Sequence, residues 1–267
     1  MGPGRVAPGM RASPPTLLVI GHDASPETVL VQSGTLAGWA RAHGLTVVPA
    51  VAGTELPDPS EVDAVAVLGS VQGAWDDSVP WLASEIAYLQ RAMAADVPVL
   101  GICFGGQLLA RVLGGSANPA DGRHENGFRT ITTFCDAIDD GPWMEFHFDS
   151  FTAPPTAEVL ARSERCDQAF RLDRHLGVQF HPEITPDEFE IWAGRWTGTP
   201  LEDRFDELGI TTAGLRAEVA ERAESSRVRS WRLFDDFGVR AGLVPGPDSG
   251  LDSGLDSGFP TTAEVRA

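Results

Sequence analysis

Three side chains able to do covalent chemistry together stand at two places in the chain. The first is Cys103, in the run Gly101-Ile102-Cys103-Phe104-Gly105-Gly106-Gln107, directly after Val97-Pro98-Val99-Leu100 and directly before Gln107-Leu108-Leu109-Ala110-Arg111-Val112-Leu113. That order predicts a strand, a glycine-lined corner and a helix, with the sulfur projecting from the corner above the sheet edge. Glycines beside such a corner leave room where side chains would collide. The helix aims its first N–H groups back at the sulfur, where a developing oxyanion would need them. These few residues on their own fit equally well a small buried thiol packed among glycines.

The second place is Leu176-Gly177-Val178-Gln179-Phe180, an extended run that leads straight into His181-Pro182-Glu183. Residues two apart in an extended segment share a face, so His181 and Glu183 point the same way. Pro182 fixes its own φ and biases His181 away from helix, which holds that geometry. An imidazole that reaches the thiol can take its proton, and a carboxylate on the far side of the ring fixes the tautomer and stabilises the charged form. Nucleophile, base and orienter are then all present.

The Gly-x-Cys-x-Gly corner followed by His-Pro-Glu resembles the class I, or triad-type, glutamine amidotransferases, from about Pro15 into the two-hundreds. Within them the chain is most similar to free-standing proteins resembling the glutaminase half of GMP synthase. Further matches to that subgroup are Val67-Leu68-Gly69-Ser70-Val71-Gln72-Gly73-Ala74-Trp75-Asp76-Asp77, Glu125-Asn126-Gly127-Phe128 and Phe146-His147-Phe148-Asp149-Ser150-Phe151. The resemblance implies catalysis by Cys103, His181 and Glu183 on the side-chain amide of glutamine, without cofactor or metal, and ammonia passed to a separate synthase. It implies oxyanion donors at the backbone of Phe104 and Ser70, and substrate contacts at Gly69 and Gln107. One departure stands out. Where the family usually carries a Gly-Gly-Pro-like turn, this chain has Gly69-Ser70-Val71, and serine tolerates positive φ less well than glycine, so the donor there is expected to be misdirected without glutamine or a partner. Two alternatives remain: a γ-glutamyl peptidase or hydrolase using the same thioester on another γ-glutamyl amide, and a non-catalytic flavodoxin-like sensor or scaffold.

Composition narrows the field. All 20 basic residues are arginine, which removes phosphate-loop lysines, Schiff-base lysines and Ser-Lys dyads together. A net charge of −18 argues against nucleic-acid binding, which needs clustered cations. Cys103, Cys135 and Cys166 form no C-x-x-C pair, so neither a disulfide framework nor a zinc site is expected, and a reducing, cytoplasmic setting is. The apolar run Leu17 to Ile20 is too short for a signal-peptide core or a membrane span.

These side chains must be positioned by an α/β framework. Strands are expected at Thr16–Ile20, Thr46–Ala50, Val62–Leu68 and Val97–Gly101, and helices at Glu27–His43 and Val79–Ala95. The alternation implies a mainly parallel, flavodoxin-like sheet with helices on both faces, whose ligands bind beyond the carboxyl ends of the strands. From about Ser116 to Gln179, short extended runs at Phe128–Phe134, Glu158–Arg162 and Gln168–Leu172 form a small antiparallel section. Helices follow at Pro186–Trp196 and Thr211–Val239. The expected organisation is a leader at 1–14, the amidotransferase-like domain at 15–200, a C-terminal helical extension packed on it at 201–242, and a tail at 243–267 whose Asp-Ser-Gly repeats cannot bury enough to order themselves. Asp76 and Asp77 are expected to cap a helix running through Trp81, His147 and Asp149 to give structural support, and His22 to be incidental.

Overall fold

The computed structural model describes residues 13–246 apart from 120 and 123. Residues 1–12 and 247–267, which hold nearly all of the expected leader and tail, lie outside the described residues. The first half alternates as expected: β1 (Thr16–Gly21), α1 (Pro26–Gln32), α2 (Gly34–Ala42), β2 (Thr46–Val51), β3 (Ala64–Val67), α3 (Leu82–Ala94), β4 (Val99–Ile102) and α4 (Phe104–Val112). The second half brings β5 (Ser116–Asn118), β6 (Glu125–Arg129), β7 (Thr132–Thr133), β8 (Trp143–His147), β9 (Ser150–Thr152), β10 (Glu158–Arg162), β11 (Asp167–Leu172) and β12 (His175–Val178). Three helices follow: α5 (Pro186–Trp196), α6 (Pro200–Glu207) and α7 (Thr212–Ala241).

Eight strands form one sheet in the order β2-β1-β3-β4-β12-β11-β10-β7, parallel from β2 through β12 and antiparallel from β12 to β7. Two small antiparallel pairs, β5 with β9 and β6 with β8, stand apart from it. The central strands are buried along their whole length, as parallel strands covered on both faces must be. Successive residues serve opposite faces. Leu17, Val19, Ala64, Ala66, Leu100 and Ile102 pack with Leu36 and Trp39 of α2 and with Leu233, Phe234 and Phe237 of α7. Leu18, Ile20, Val65, Val67 and Val99 pack with Tyr88 and Leu89 of α3 and Leu108 and Leu109 of α4.

Three of the expected elements take a different form. The single helix expected over Glu27–His43 is two, parted at Ser33, because Gly34 takes φ +44° and its backbone presses on the carbonyl of Glu183, leaving no space for a Cβ. The helix expected from Val79 begins at Leu82 instead, and neither Asp76 nor Asp77 caps it. Asp76 accepts from the backbone and hydroxyl of Ser78 in a local turn, while Asp77 pairs with Arg111 of α4 at 2.6 Å. The extended run expected over Phe128–Phe134 divides into β6 and β7, whose strands join different sheets. The expected C-terminal helix is continuous and closes at Gly242, whose left-handed φ of 71° gives a glycine C-cap. No helix among the described residues is long and apolar enough to cross a membrane.

Candidate active site

The corner after β4 is built by glycines fitted against two neighbouring strands. Cys103 itself takes φ 53° and ψ −109°, a backbone geometry that a non-glycine residue adopts only when its surroundings impose it. Its N–H donates to the Val178 carbonyl at 2.9 Å and its carbonyl accepts from Gln107 N–H at 2.9 Å. Gly105 lies against the carbonyl of Val67 in β3 and Gly106 against that of Val178 in β12, so the first turn of α4 is wedged between the strands flanking β4. Phe104 opens α4, and the first N–H groups of a helix have no intrahelical acceptor.

Strand register delivers the second motif. β12 runs parallel to β4 with Val178 opposite Ile102, so the chain leaving β12 arrives beside the residue leaving β4. His181 Nδ1 meets Glu183 Oε1 at 2.7 Å, which leaves Nε2 for the sulfur. Burial works against charging the His181 ring. Glu183 behind it and Cys103 in front nevertheless hold its pKa well above the ordinary imidazole value. The segment is braced from both sides: Thr35 donates its N–H to the Glu183 carbonyl at 2.9 Å and its hydroxyl to the Pro182 carbonyl at 2.8 Å, and the Ser230 hydroxyl of α7 reaches that same Pro182 carbonyl. The ring of Trp192, from α5, stands edge-on to His181 with centroids 4.6 Å apart.

The loop after β3 passes over both motifs, since a Cβ on Gly69 would lie 3.1 Å from His181 Cε1 and 3.9 Å from Cys103 Cβ. Neither Gly69 nor Ser70 has a positive φ, so the expected conflict between serine and a left-handed turn does not arise. The Ser70 hydroxyl donates to Gln72 Oε1 at 2.6 Å and accepts from Gln72 N–H at 3.2 Å, tying the loop to itself. Gln107 is buried and donates to Gln179 Oε1 at 3.3 Å, and Gln179 Nε2 in turn lies 3.7 Å from the Cys103 sulfur.

Cys103 faces two cavities. One, of about 350 Å³, is lined by Gln72, Phe104, Gln107, His147 and Asp149. The other, of about 160 Å³, lies on the side of His181 and Glu183 and is walled by Phe146, Trp192 and Trp196, with Gln32, Glu188 and Arg195.

Two further histidines are held by several partners each. His22, expected to be incidental, has its side chain buried between Trp81 and Phe104, with ring centroids 4.7 and 4.6 Å away. Its Nδ1 meets the Gly69 carbonyl at 3.0 Å and its Nε2 meets Glu85 at 3.2 Å. His147 sends Nδ1 to the Asp149 carbonyl at 2.9 Å, and its Nε2 lies 3.1 Å from Glu145 and 3.5 Å from Glu125. Burial opposes the charge on His147, but these two carboxylates push its pKa up to about 10. Cys166 joins this group, its sulfur 3.7 Å from Glu125 Oε2, which also accepts from Ser163 and Gln168 at 2.9 Å each. Glu125, His147 and Cys166 form the one cluster of three potential metal-ligating side chains among the described residues. Its members come from separate segments, so no local spacing announces it.

Comparison with known proteins gives the family and the fold. Residues 37–191 match the family model for class I glutamine amidotransferases. A GMP synthase from Xanthomonas axonopodis pv. citri is 30% identical over 208 residues, covering 72% of this chain and 38% of the synthase. Gamma-glutamyl peptidase 5 of Arabidopsis thaliana is 30% identical over 155 residues, covering 51% of this chain and 61% of the peptidase. The fold superimposes on the crystal structure of a glutamine amidotransferase from Methylobacillus flagellatus with a TM-score of 0.73 at 23% identity, covering 85% of this chain and 96% of the other. The chain thus spans less than two-fifths of the length of the synthase it matches, and it belongs to the class I glutamine amidotransferase family on a flavodoxin-like fold.

Proposed function

We propose that this chain is a Cys-His-Glu amidohydrolase that cleaves the side-chain amide of glutamine and supplies ammonia to a separate acceptor enzyme. The observation that carries the reading is the His181–Glu183 bond behind a ring whose free nitrogen faces a thiol on a glycine corner. Cys103 Sγ attacks the amide carbon as its proton moves to His181. The tetrahedral oxyanion is received by the backbone N–H groups of Phe104 and Ser70. His181 returns the proton to the departing nitrogen, the C–N bond breaks, and a γ-glutamyl thioester remains. Water, deprotonated by His181, then attacks the thioester; glutamate leaves and the thiol regains its proton. Gln107 lines the larger cavity, in which the γ-glutamyl group sits, and Gly69 lines the smaller one beside His181, over the amide being cleaved.

The test is covalent. A glutamine-analogue electrophile is expected to label Cys103 alone among the three cysteines, and excess glutamine to block it; labelling spread over Cys135 and Cys166, or indifferent to glutamine, would count against the site.

His22 acts on this reaction through Gly69. In a trans peptide the C=O and the following N–H point in opposite directions, so an imidazole that holds the Gly69 carbonyl sets the direction of the Ser70 N–H. Its ring also packs on the side chain of Phe104, the residue that carries the other donor. His22→Ala is expected to lower kcat between about tenfold and a hundredfold with little change in KM, short of the full loss of an oxyanion donor. A rise in KM at unchanged kcat would assign His22 to substrate binding instead.

A second reading, hydrolysis of γ-glutamyl amides other than glutamine, is favoured by the cavity beside His181. Its volume of about 160 Å³ far exceeds what departing ammonia requires, since a water-sized molecule needs only about 10–15 Å³ of such space.

A further inference from the structure

We infer that the cavity beside His181 is a subsite for the departing amine and that it selects amines bearing a second positive charge, making γ-glutamyl amides of alkyl diamines substrates. The inference rests on the proposed thioester chemistry and adds to it the identity of the leaving group.

Position comes first. His181 must protonate the leaving nitrogen, so the leaving group projects into the space on the His181 side, and that space is this cavity. Two carboxylates line it, Glu183 and Glu188, whose residues are 1% and 2% exposed. Each keeps one oxygen, Oε2, buried without a hydrogen-bond partner. A buried polar atom left unpaired costs free energy, and a ligand that supplies donors recovers it once the carboxylate turns towards the cavity. An alkylammonium offers three donors, whereas a neutral alkyl chain offers none.

The walls suit the same ligand. Phe146 stacks on Trp196 with centroids 4.9 Å apart and lies 5.6 Å from Trp192, so a cluster of aromatic side chains walls the methylene path. Aromatic faces attract ammonium groups, most strongly where water is excluded. The two basic side chains lining the cavity are each already paired, His181 with Glu183 and Arg195 with Asp23. Burial and the neighbouring Glu183 hold the Glu188 pKa well above the ordinary carboxylate value, so an arriving cation meets an acid able to ionise in response. The reaction needs no new reactant. Water supplies hydroxyl to the acyl carbon, the C–N bond breaks, the amine nitrogen leaves with a proton from His181, and the second ammonium is a spectator.

The experiment compares three substrates with the full chain: glutamine, the γ-glutamyl monoamide of diaminobutane, and γ-glutamyl pentylamide, which matches the second in length but ends in a methyl group. The charged amide is expected to exceed the neutral one in kcat/KM by about tenfold or more, the yield of roughly one charge-assisted hydrogen bond. Glu188→Gln is expected to bring that ratio towards one. Equal or better turnover of the pentylamide by the wild-type chain overturns the subsite, whatever the variant does, and so does refusal of the diamine amide. The underlying chemistry is judged separately: if glutamine is still hydrolysed and Cys103 still labelled, only the subsite falls, and if both fail the thioester reading falls with it.

Discussion

Cys103→Ala is expected to abolish glutamine hydrolysis, with a fall in kcat of about a millionfold, the loss seen when the nucleophile of a comparable triad is removed. The size follows from the role: without the sulfur no thioester forms, and only the barrier reduction from the oxyanion donors and from substrate binding survives, about a thousandfold over water. The fold is expected to be retained. Alanine keeps the Cβ, and the corner's constraints come from Gly105 and Gly106 against the neighbouring carbonyls and from the Cys103 backbone bonds to Val178 and Gln107. Glutamate release followed beside a thermal melt checks both halves. Turnover within tenfold of wild type in a folded variant would remove Cys103 from the reaction.

Gly105→Ala is expected to cost both stability and activity. The added methyl carbon would lie inside the contact distance of the Val67 carbonyl oxygen, and that oxygen belongs to the backbone of a central, fully buried strand that cannot rotate away. Relief requires α4 to lift from the sheet, at a cost of about 3 kcal/mol or more, the upper range for overpacking. The same lift moves the Phe104 N–H, so hydrolysis falls even in the fraction that remains folded. An unchanged unfolding midpoint in denaturant would show that the helix start is not clamped as described. Gly114 gives the contrast, since a Cβ there would meet nothing within 4 Å, although its φ of +93° keeps that site from being a neutral control.

What could be read from the sequence was what depends on neighbours in the chain. The strand-corner-helix around Cys103 and the shared face of His181 and Glu183 are local patterns, and both are present in the structure. So are the alternating strands and helices of the first half and the boundaries of α5. Most of the features that escaped depend on residues far apart, and one, at Asp76, on a competing local turn. Ser33 and Gly34 look like the middle of one amphipathic helix until the Glu183 carbonyl is placed against them. Asp76 has the chemistry of a helix cap, but Ser78 is nearer than any helix end. Gln179 reads as an ordinary residue of an apolar run, and its approach to the Cys103 sulfur arises only from the pairing of β12 with β4. His22, alone after the first strand, carries no motif at all. Its contact with Gly69 spans 47 positions in sequence.

The Ser230 hydroxyl on the Pro182 carbonyl gives the last helix a share in the chemistry it never touches. α7 runs for 30 residues from the α5 side of the molecule to the hydrophobic core beneath β1, and in its second half it grips the carbonyl of the residue between His181 and Glu183. A tug on its outer end, by a docking protein or a bound small molecule, would be felt as a tilt of the imidazole. In the proposed reaction the helix is thus a lever on the proton-transfer step, reachable without entering either cavity.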